Sequence, residues 1–321
     1  MAVNVARIID RADAQLLRLE AEHLARLRQV TNSAYARLAA EIRRRWADTL
    51  VESEGMTRTF AEARARVLLA QLEPYMRALE YGNASSGVPS IMRDVIQLGH
   101  QAGLETATEL LTAFPASRQG LVTATARIDF RAVEAAVANS QARLARYGVA
   151  TIGKIEQAVV DGIVSGRGSQ KVARDVREAI RGDAHVPDGG LHARAEMIAR
   201  TELGTAKTDA SKQRYAEAGV DLVQWYATLD ERTCIYCAAR HGNAYRIGDA
   251  VVPAHPNCRC YLAPFRPEWV ELGLVDEDFW RESVREIEEL VPNLSRGPTP
   301  FEKAADRKRA PEPVWSPPRA A

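Results

Sequence analysis

The chain has 321 residues, of which 46% are hydrophobic and 26% are charged, a composition typical of a protein with buried cores. Its formal net charge of +1 argues against a protein that attracts nucleic acid or a cationic partner through a global electrostatic field. The sequence has no uncharged apolar run of about 18 residues and no basic start followed by an apolar segment. We therefore expect no membrane span and no secretory leader, and folding in the cytosol.

The first 129 residues carry a helical pattern. From Val5 to Asp48, apolar residues recur at three- and four-residue steps without Pro or Gly, which predicts one long amphipathic helix or two that meet near Thr31–Ser33. Further helices are predicted over the ranges 60–79, 91–114 and 130–147. A helix of about 40 residues spans about 60 Å, which is long for one small domain. We expect 1–129 to dock on a multi-subunit assembly; an ordinary helix–helix core is the alternative.

The middle of the chain changes character. Two amphipathic segments flank 165–169, which predicts a helix–turn–helix hairpin with Ser169 capping the second helix. A loop at 182–190 precedes another long predicted helix that ends at Gly219. Alternating residues over 222–227 then predict a strand that enters the cysteine-rich region.

All four cysteines lie within 27 residues, as a C-x2-C pair at Cys234 and Cys237 and a C-x-C pair at Cys258 and Cys260. Thiolates at such short spacings converge on tetrahedral zinc where a turn reverses the backbone, and alternate residues of an extended segment face the same side. The sequence therefore predicts a structural zinc site held by the four cysteines, or by three of them with His255. Reduced cysteines packed as small apolar groups, and disulfides formed after assembly, are the alternatives.

Catalytic interpretations of the cluster are weaker. A zinc deaminase needs H-x-E before P-C-x-x-C, and this sequence has no H-x-E. A nucleophilic pair of Cys258 with His255 or His241 stays open, although four clustered thiols favour a shared metal over one activated thiol. His241 and Asn243 are a faint indication of a nuclease site, and with Gly242 between them they are typical of a turn.

Several motifs in fixed order carry a family resemblance. They are IARTE at 198–202, Trp225, the run from Asp230 through Arg232 to Cys237, Gly242, and HPNCRC at 255–260. This series resembles the head morphogenesis domain of tailed bacteriophages, the family of the phage Mu F protein and the SPP1 minor head protein. The resemblance covers about Phe130 to Phe265 and includes the hairpin. It implies a minor capsid protein that acts near the portal and that in some relatives contacts packaged DNA.

Charged motif residues are expected to stabilise the fold. Arg200 and Glu202 lie two apart on a predicted helix, so their side chains face different directions. We expect each to pair with a neighbour, and Asp230 and Arg232 beside the cysteines offer the opposite charges.

Other motif residues have separate predicted roles. Trp225 is expected to anchor the core, and Gly242 to form a turn. Asn257 is a member of the HPNCRC motif. Arg259 lies between two cysteines, is expected to point away from the metal, and is the candidate contact for a phosphate or a partner.

The end of the chain divides into two pieces. The segment from Asp276 has an acidic first turn and is predicted to be helical, whereas the region after Pro292 is rich in Pro and charge and is predicted to be disordered. Its basic residues are Lys303, Arg307, Lys308 and Arg309. They are expected to be solvated, with contact to DNA or a capsid surface as the alternative.

The sequence thus predicts a mainly α fold: an extended helical N-terminal half, then a helical domain with a small zinc-stapled α+β lobe. The predicted divisions are 1–129 for docking, 130–266 for the head morphogenesis domain, 267–291 for a C-terminal helix and 292–321 for the tail.

The predicted function is that of a minor head protein of a tailed phage or prophage, without catalytic residues. It would be made in the host cytoplasm, assembled into the virion, and partnered by the portal protein and other head proteins, with no membrane. Phage DNA is an additional candidate partner. The alternatives are a zinc-stapled nuclease or effector enzyme of phage origin, and a free zinc-ribbon nucleic-acid binder.

Overall fold

The structure is a computed structural model, and it describes the following residues: 4–53, 57–81, 88–114, 129–181, 191–228, 233–276, 279–280, 282–283, 285–286 and 312–317. Helices dominate these ranges, and a small antiparallel sheet lies near the cysteines. The predicted fold class, mainly α with a small α+β lobe, is therefore confirmed. Among the described residues, no helix is both long enough and apolar enough to cross a membrane.

Six long helices have the bounds α1 Val5–Ser53, α2 Arg58–Tyr81, α3 Val88–Ala113, α4 Phe130–Val164, α5 Ser169–Arg181 and α6 Leu191–Glu217. The possible break in the first helix does not occur, since α1 is continuous from Val5 to Ser53. Thr31 is buried within it and donates its hydroxyl hydrogen bond to the Leu27 carbonyl one turn back, at 3.0 Å. The predicted helix over 130–147 and the first helix of the hairpin are one element, α4.

The sheet consists of β1 Leu222–Tyr226, β2 Ala244–Arg246 and β3 Tyr261–Phe265, in the order β2-β1-β3 and antiparallel throughout. Two short helices flank these strands, α7 Ile235–Ala238 and α8 Pro267–Glu271. The predicted strand over 222–226 is the central one, and it is buried on both faces beyond its first residue. The residues whose alternation predicted a strand therefore form a strand of the core.

The chain forms two compact units that interleave along the sequence. The cysteine unit takes 1–20, 96–133 and 200–321, and the helical unit takes 21–95 and 134–199. This differs from the predicted division at residues 129, 266 and 291, because each unit combines early helices with later segments.

The core of the helical unit is built from helix faces. Its buried members include Leu38, Ile42 and Trp46 of α1, Leu68 and Leu72 of α2, Ile155 and Val159 of α4, and Val172 and Val176 of α5. The Trp46 indole donates a hydrogen bond to the Arg167 carbonyl at 2.8 Å. Gly162 makes room for this ring, since a Cβ there would lie 2.9 Å from it and 2.4 Å from Val172.

The core of the cysteine unit is rich in aromatic side chains. Phe114 stacks on Trp269 with ring centroids 3.9 Å apart and planes within 7°. The first turns of α1 join this core through Val5 and Ile9, and the end of α3 joins through Leu110. The alternative of an ordinary core therefore describes these parts of 1–129, in place of a free docking surface.

The C-terminal pieces differ from expectation in part. Asp276 accepts a hydrogen bond from the Phe279 amide at 2.9 Å, and the described residues that follow are helical, as predicted. The disorder predicted after Pro292 is wrong for residues 312–317, where Trp315 forms an antiparallel bridge with Ala244. The basic residues Lys303 and Arg307–Arg309 lie outside the described residues.

Candidate metal centre

The C-x2-C pair sits on one turn of helix. Cys234 is the N-cap of α7 with φ −80° and ψ 153°, and its sulfur accepts the Cys237 amide hydrogen bond at 3.3 Å. The Ala238 amide closes the turn on the Cys234 carbonyl at 2.9 Å. This turn brings the two sulfurs to one side, as the spacing predicts.

The second arm of the site is the HPNCRC segment, folded into a tight turn. The Cys258 amide donates to the His255 carbonyl at 3.1 Å, and Asn257 between them adopts φ 61°. Asparagine tolerates this left-handed conformation better than most residues. The Asn257 amide also donates to the Thr201 hydroxyl of the IARTE motif at 3.4 Å, so two motifs far apart in sequence meet here.

Three pairs of donor atoms lie at distances close to those between ligands of one tetrahedral ion. His255 Nε2 is 3.2 Å from Cys234 Sγ and 3.3 Å from Cys237 Sγ, and Cys237 Sγ is 3.8 Å from Cys258 Sγ. Bonds of about 2.0–2.3 Å to zinc place tetrahedral ligands roughly 3.5–3.8 Å apart. His255 Nδ1 donates to the Pro256 carbonyl at 2.9 Å, so Nε2 is the ring nitrogen that faces the sulfurs of Cys234 and Cys237.

Five donors surround this point, one more than a tetrahedral ion needs. They form two groups with mutual distances within 4.8 Å, Cys234 with Cys237 and His255, and Cys237 with Cys258 and Cys260. All five line one cavity of about 20 Å³. Each predicted ligand set, four cysteines or three with His255, combines members of both groups, so its donors would have to draw closer together around the ion. Cys237 is common to the two groups.

The electrostatics of the cluster favour metal-binding thiolates. A hydrogen bond from Cys237 is the main cause that lowers the pKa of Cys234 to about 5, and the Cys237 pKa is raised in return. The pKa of Cys258 is also lowered, first through its hydrogen bond with Cys237. Burial alone would lower the His255 pKa, but the Cys234 hydrogen bond and nearby thiolates raise it to about 9. Thiolates are ligands that zinc prefers, whereas a histidine with a raised pKa binds a metal only as the ion displaces its Nε2 proton.

Two charged motif residues lie on α6, in the part of the chain that the structure describes. Arg200 pairs with Glu20 of α1 at 2.9 Å, a partner that the sequence-based expectation missed. Glu202 is 3% exposed, in the core of the unit. Asp230 and Arg232, the predicted partners, lie outside the described residues.

The remaining motif residues have structural surroundings. Trp225 is 2% exposed and meets Tyr245 edge to face at 6.2 Å. Gly242 has φ 79°, and a Cβ there would lie 3.3 Å from the Trp280 ring. Arg259 is half-buried and lines the cysteine cavity, and its carbonyl accepts the Thr228 hydroxyl hydrogen bond at 2.9 Å. The direction of its side chain relative to a metal stays a prediction.

His241 has a role that the sequence did not reveal. Its Nδ1 accepts the Ala227 amide at 3.0 Å and its Nε2 donates to the Ser283 hydroxyl at 2.9 Å, so both ring nitrogens are engaged. Burial lowers its pKa to about 4, which keeps the ring neutral. His241 therefore joins the residue that follows β1 to the C-terminal helix.

Lys207 is a second residue that the sequence analysis missed. It is 6% exposed, forms an ion pair with Asp13 of α1, and lies 4.5 Å from the centre of the Tyr261 ring. With Arg259 and Cys258 it lines a cavity of about 90 Å³. In the sequence, Lys207 stands out only as a lysine next to the apolar side of a predicted helix. Its partner, Asp13, is 194 residues away in the chain, which no local pattern reveals.

A family comparison agrees with this geometry. Residues 153–263, 111 of the 321, match the family model described as Phage Mu protein F like protein. The matched range runs from α4 into β3 and contains the four cysteines and His255. The resemblance to the phage head morphogenesis family is thereby confirmed for this range, which starts later than the predicted Phe130. No curated protein and no solved structure matches the chain.

Proposed function

We propose that this chain is a minor head protein of a tailed phage or prophage that acts at the portal during head assembly. The observation that carries the proposal is the convergence of the family's ordered motifs on one small lobe. IARTE contributes Thr201, and HPNCRC contributes Asn257, His255 and Cys258, within the range that matches the family model. This role places the protein in the virion and makes other head proteins its partners.

In this proposal a zinc ion staples the lobe. The strands are only five, three and five residues long, and the segments between them are turns and one-turn helices. Such a lobe gains little from regular backbone pairing, so metal binding free energy would supply much of its folding free energy. The ion's chemistry there is structural, since all donors come from the protein.

We further propose that the chain is not an enzyme. The motif residues support this, because each described one contributes to folding: Trp225 in the core, Gly242 in a close turn and Arg200 in an ion pair. The enzyme alternative keeps one specific prediction, which is cleavage of DNA or another substrate that depends on a cysteine or histidine of the cluster.

The portal contact is best sought on the helical unit. A groove of about 820 Å³ lies between α2 and α4, with Leu69, Met76 and Ile152 among its apolar lining residues. At its edge Val149 is 70% exposed. Exposed apolar side chains beside an open groove are typical of protein contacts. An interface of this kind resists moderate salt, because apolar burial is not screened as charge contacts are.

Co-expression of the full chain with the cognate portal protein tests the proposal. We expect a complex that purifies together at 0.5 M salt, and its yield should fall for Val149→Glu. The matched control is Val251→Glu, which changes a 66% exposed valine of the cysteine unit and should leave the complex intact.

Two results would overturn the proposed function. One is a mature particle that lacks the protein while a deletion strain still assembles infectious virions. The other is cysteine- or histidine-dependent cleavage by the purified chain. Contact with packaged DNA stays a prediction, and crosslinking of the protein to DNA inside filled heads would measure it.

A further inference from the structure

The C-terminal segment 312–317 extends the sheet at its free edge. The Val314 amide donates to the Ala244 carbonyl at 2.7 Å, and the Ala244 amide donates to the Trp315 carbonyl at 2.8 Å. Ala244 starts β2, which pairs with β1 on its other side. An edge strand presents unpaired backbone groups that an added peptide satisfies, so this is strand addition from within the chain.

Two side chains fix the segment in place. The Trp315 ring packs on Phe265 with centroids 4.8 Å apart, and Pro317 is buried against Gly242. A Cβ at Gly242 would approach Pro317 to 2.9 Å, so the absence of a side chain there forms a notch for the proline. Ser316 and Val314 are exposed, which agrees with the alternation of an extended peptide. The contact therefore selects the pattern Trp-x-Pro.

We infer that the tail groove, formed by Gly242, Ala244 and Phe265, is a peptide-binding site that accepts this segment from a second copy of the chain as well as from its own. The described contacts on the peptide side come from residues 312–317, and these contacts can form whichever copy supplies the segment. Twenty-five residues, 287–311, separate it from the last described residue of the C-terminal helix. A chain of that length spans up to about 85 Å when extended, which is enough to reach a neighbouring molecule.

The first experiment measures peptide binding to the full chain. The receptor is the Trp315→Ala protein, whose own segment has lost its main side-chain contact, and the probe is a fluorescein-labelled peptide EPVWSPPR. We expect saturable binding by fluorescence polarisation. The wild-type chain should bind the probe at least about tenfold more weakly, because its tethered segment competes at an effective concentration in the millimolar range.

Variant peptides separate the groove from nonspecific adhesion. Replacing the tryptophan with alanine should weaken binding at least about tenfold, and replacing the valine with proline should also weaken it, because proline cannot donate to the Ala244 carbonyl. Replacing the exposed serine with alanine is the matched control and should change nothing. Absence of binding to Trp315→Ala at about 1 mM, or equal binding of the alanine peptide, would overturn the inference.

The second experiment tests exchange between copies. A photo-crosslinking amino acid at position 316, which is exposed, should give crosslinked pairs of chains whose yield rises with protein concentration and falls with excess free peptide. If the peptide binds but no crosslinked pair forms up to about 100 μM protein, the site serves only its own tail and the second-copy inference is wrong. Neither result depends on the portal role.

Discussion

The two units of this protein are stabilised by different means. The helical unit buries mostly aliphatic side chains from amphipathic helices, with Trp46 as its one fully buried large ring among the described residues. The cysteine unit buries a dense set of aromatic rings around three short strands, with five potential metal ligands beside them. Long helices satisfy their own backbone and need only a covered face, whereas a loop-rich lobe needs cross-links and specific hydrogen bonds. The predictions below test this contrast.

The largest effect is expected from Cys237→Ser, because Cys237 belongs to both donor groups. The binding free energy of a structural zinc is on the order of 10 kcal/mol in isolated zinc-finger peptides, and it is folding free energy. We therefore expect less than about a tenth of an equivalent of zinc. The near-ultraviolet circular dichroism of the cysteine unit should be lost while helical signal from the helical unit persists.

Elemental analysis of protein purified without chelator measures the metal directly. About one zinc per wild-type chain is expected, and His255→Ala and Cys260→Ser compared side by side should identify the donor that the ion does not use. Wild-type protein that carries no metal and whose four thiols titrate normally would contradict the staple.

The reciprocal experiment is Trp46→Ala in the helical unit. Removing a buried tryptophan typically costs about 3–5 kcal/mol, and here the hydrogen bond to the Arg167 carbonyl is lost as well. Zinc content should stay at the wild-type level. Trp46→Phe fills more of the space and should cost less. A Trp46→Ala protein that loses zinc in parallel with stability would show that the two units do not fold by separate means.

Ile9→Ala tests whether the start of α1 belongs to the cysteine unit. Ile9 is fully buried in that core, so its truncation should destabilise the unit by about 2–5 kcal/mol. Leu17→Ala, on the same helix and 49% exposed, is the matched control and should cost under about 1 kcal/mol. If chemical denaturation shows that the two variants lose the same free energy of unfolding, the prediction that 1–129 is a separate docking region would be favoured instead.

The sequence predicted elements better than partners. The spacing of Leu38, Ile42 and their neighbours predicted the first helix to within a few residues, since periodicity reports that a face is apolar. Periodicity does not report what covers that face, so the interleaved units and the pairing of Arg200 with Glu20 were missed.

The same limit applies to the candidate site. Cysteine spacing predicted the donors, but not that Cys237 would be shared by two groups or that Nδ1 of His255 would be held by a backbone carbonyl. The tail composition predicted disorder, because low apolar content argues against a core. Trp315 and Pro317, together with backbone hydrogen bonds to Ala244, nevertheless hold residues 312–317 against the sheet.

The smallest of these effects is a pH dependence set by His241. Its pKa is about 4 in the folded protein and 6.5 in the unfolded chain, so the unfolded state binds more protons between these values. Stability from this residue is therefore fully present above pH 6.5 and is lost as the pH falls towards 4. Between pH 7 and pH 5 the loss should be about 2 kcal/mol.

His241→Gln keeps a donor and an acceptor but does not titrate, so its unfolding free energy should fall less over this range. Any loss of zinc at low pH affects the wild-type protein and the variant alike. The difference between their slopes of unfolding free energy against pH therefore reports His241 alone. Parallel slopes in denaturant titrations at pH 7, 6 and 5 would mean that the ring is protonated in place, against the two hydrogen bonds that hold it neutral.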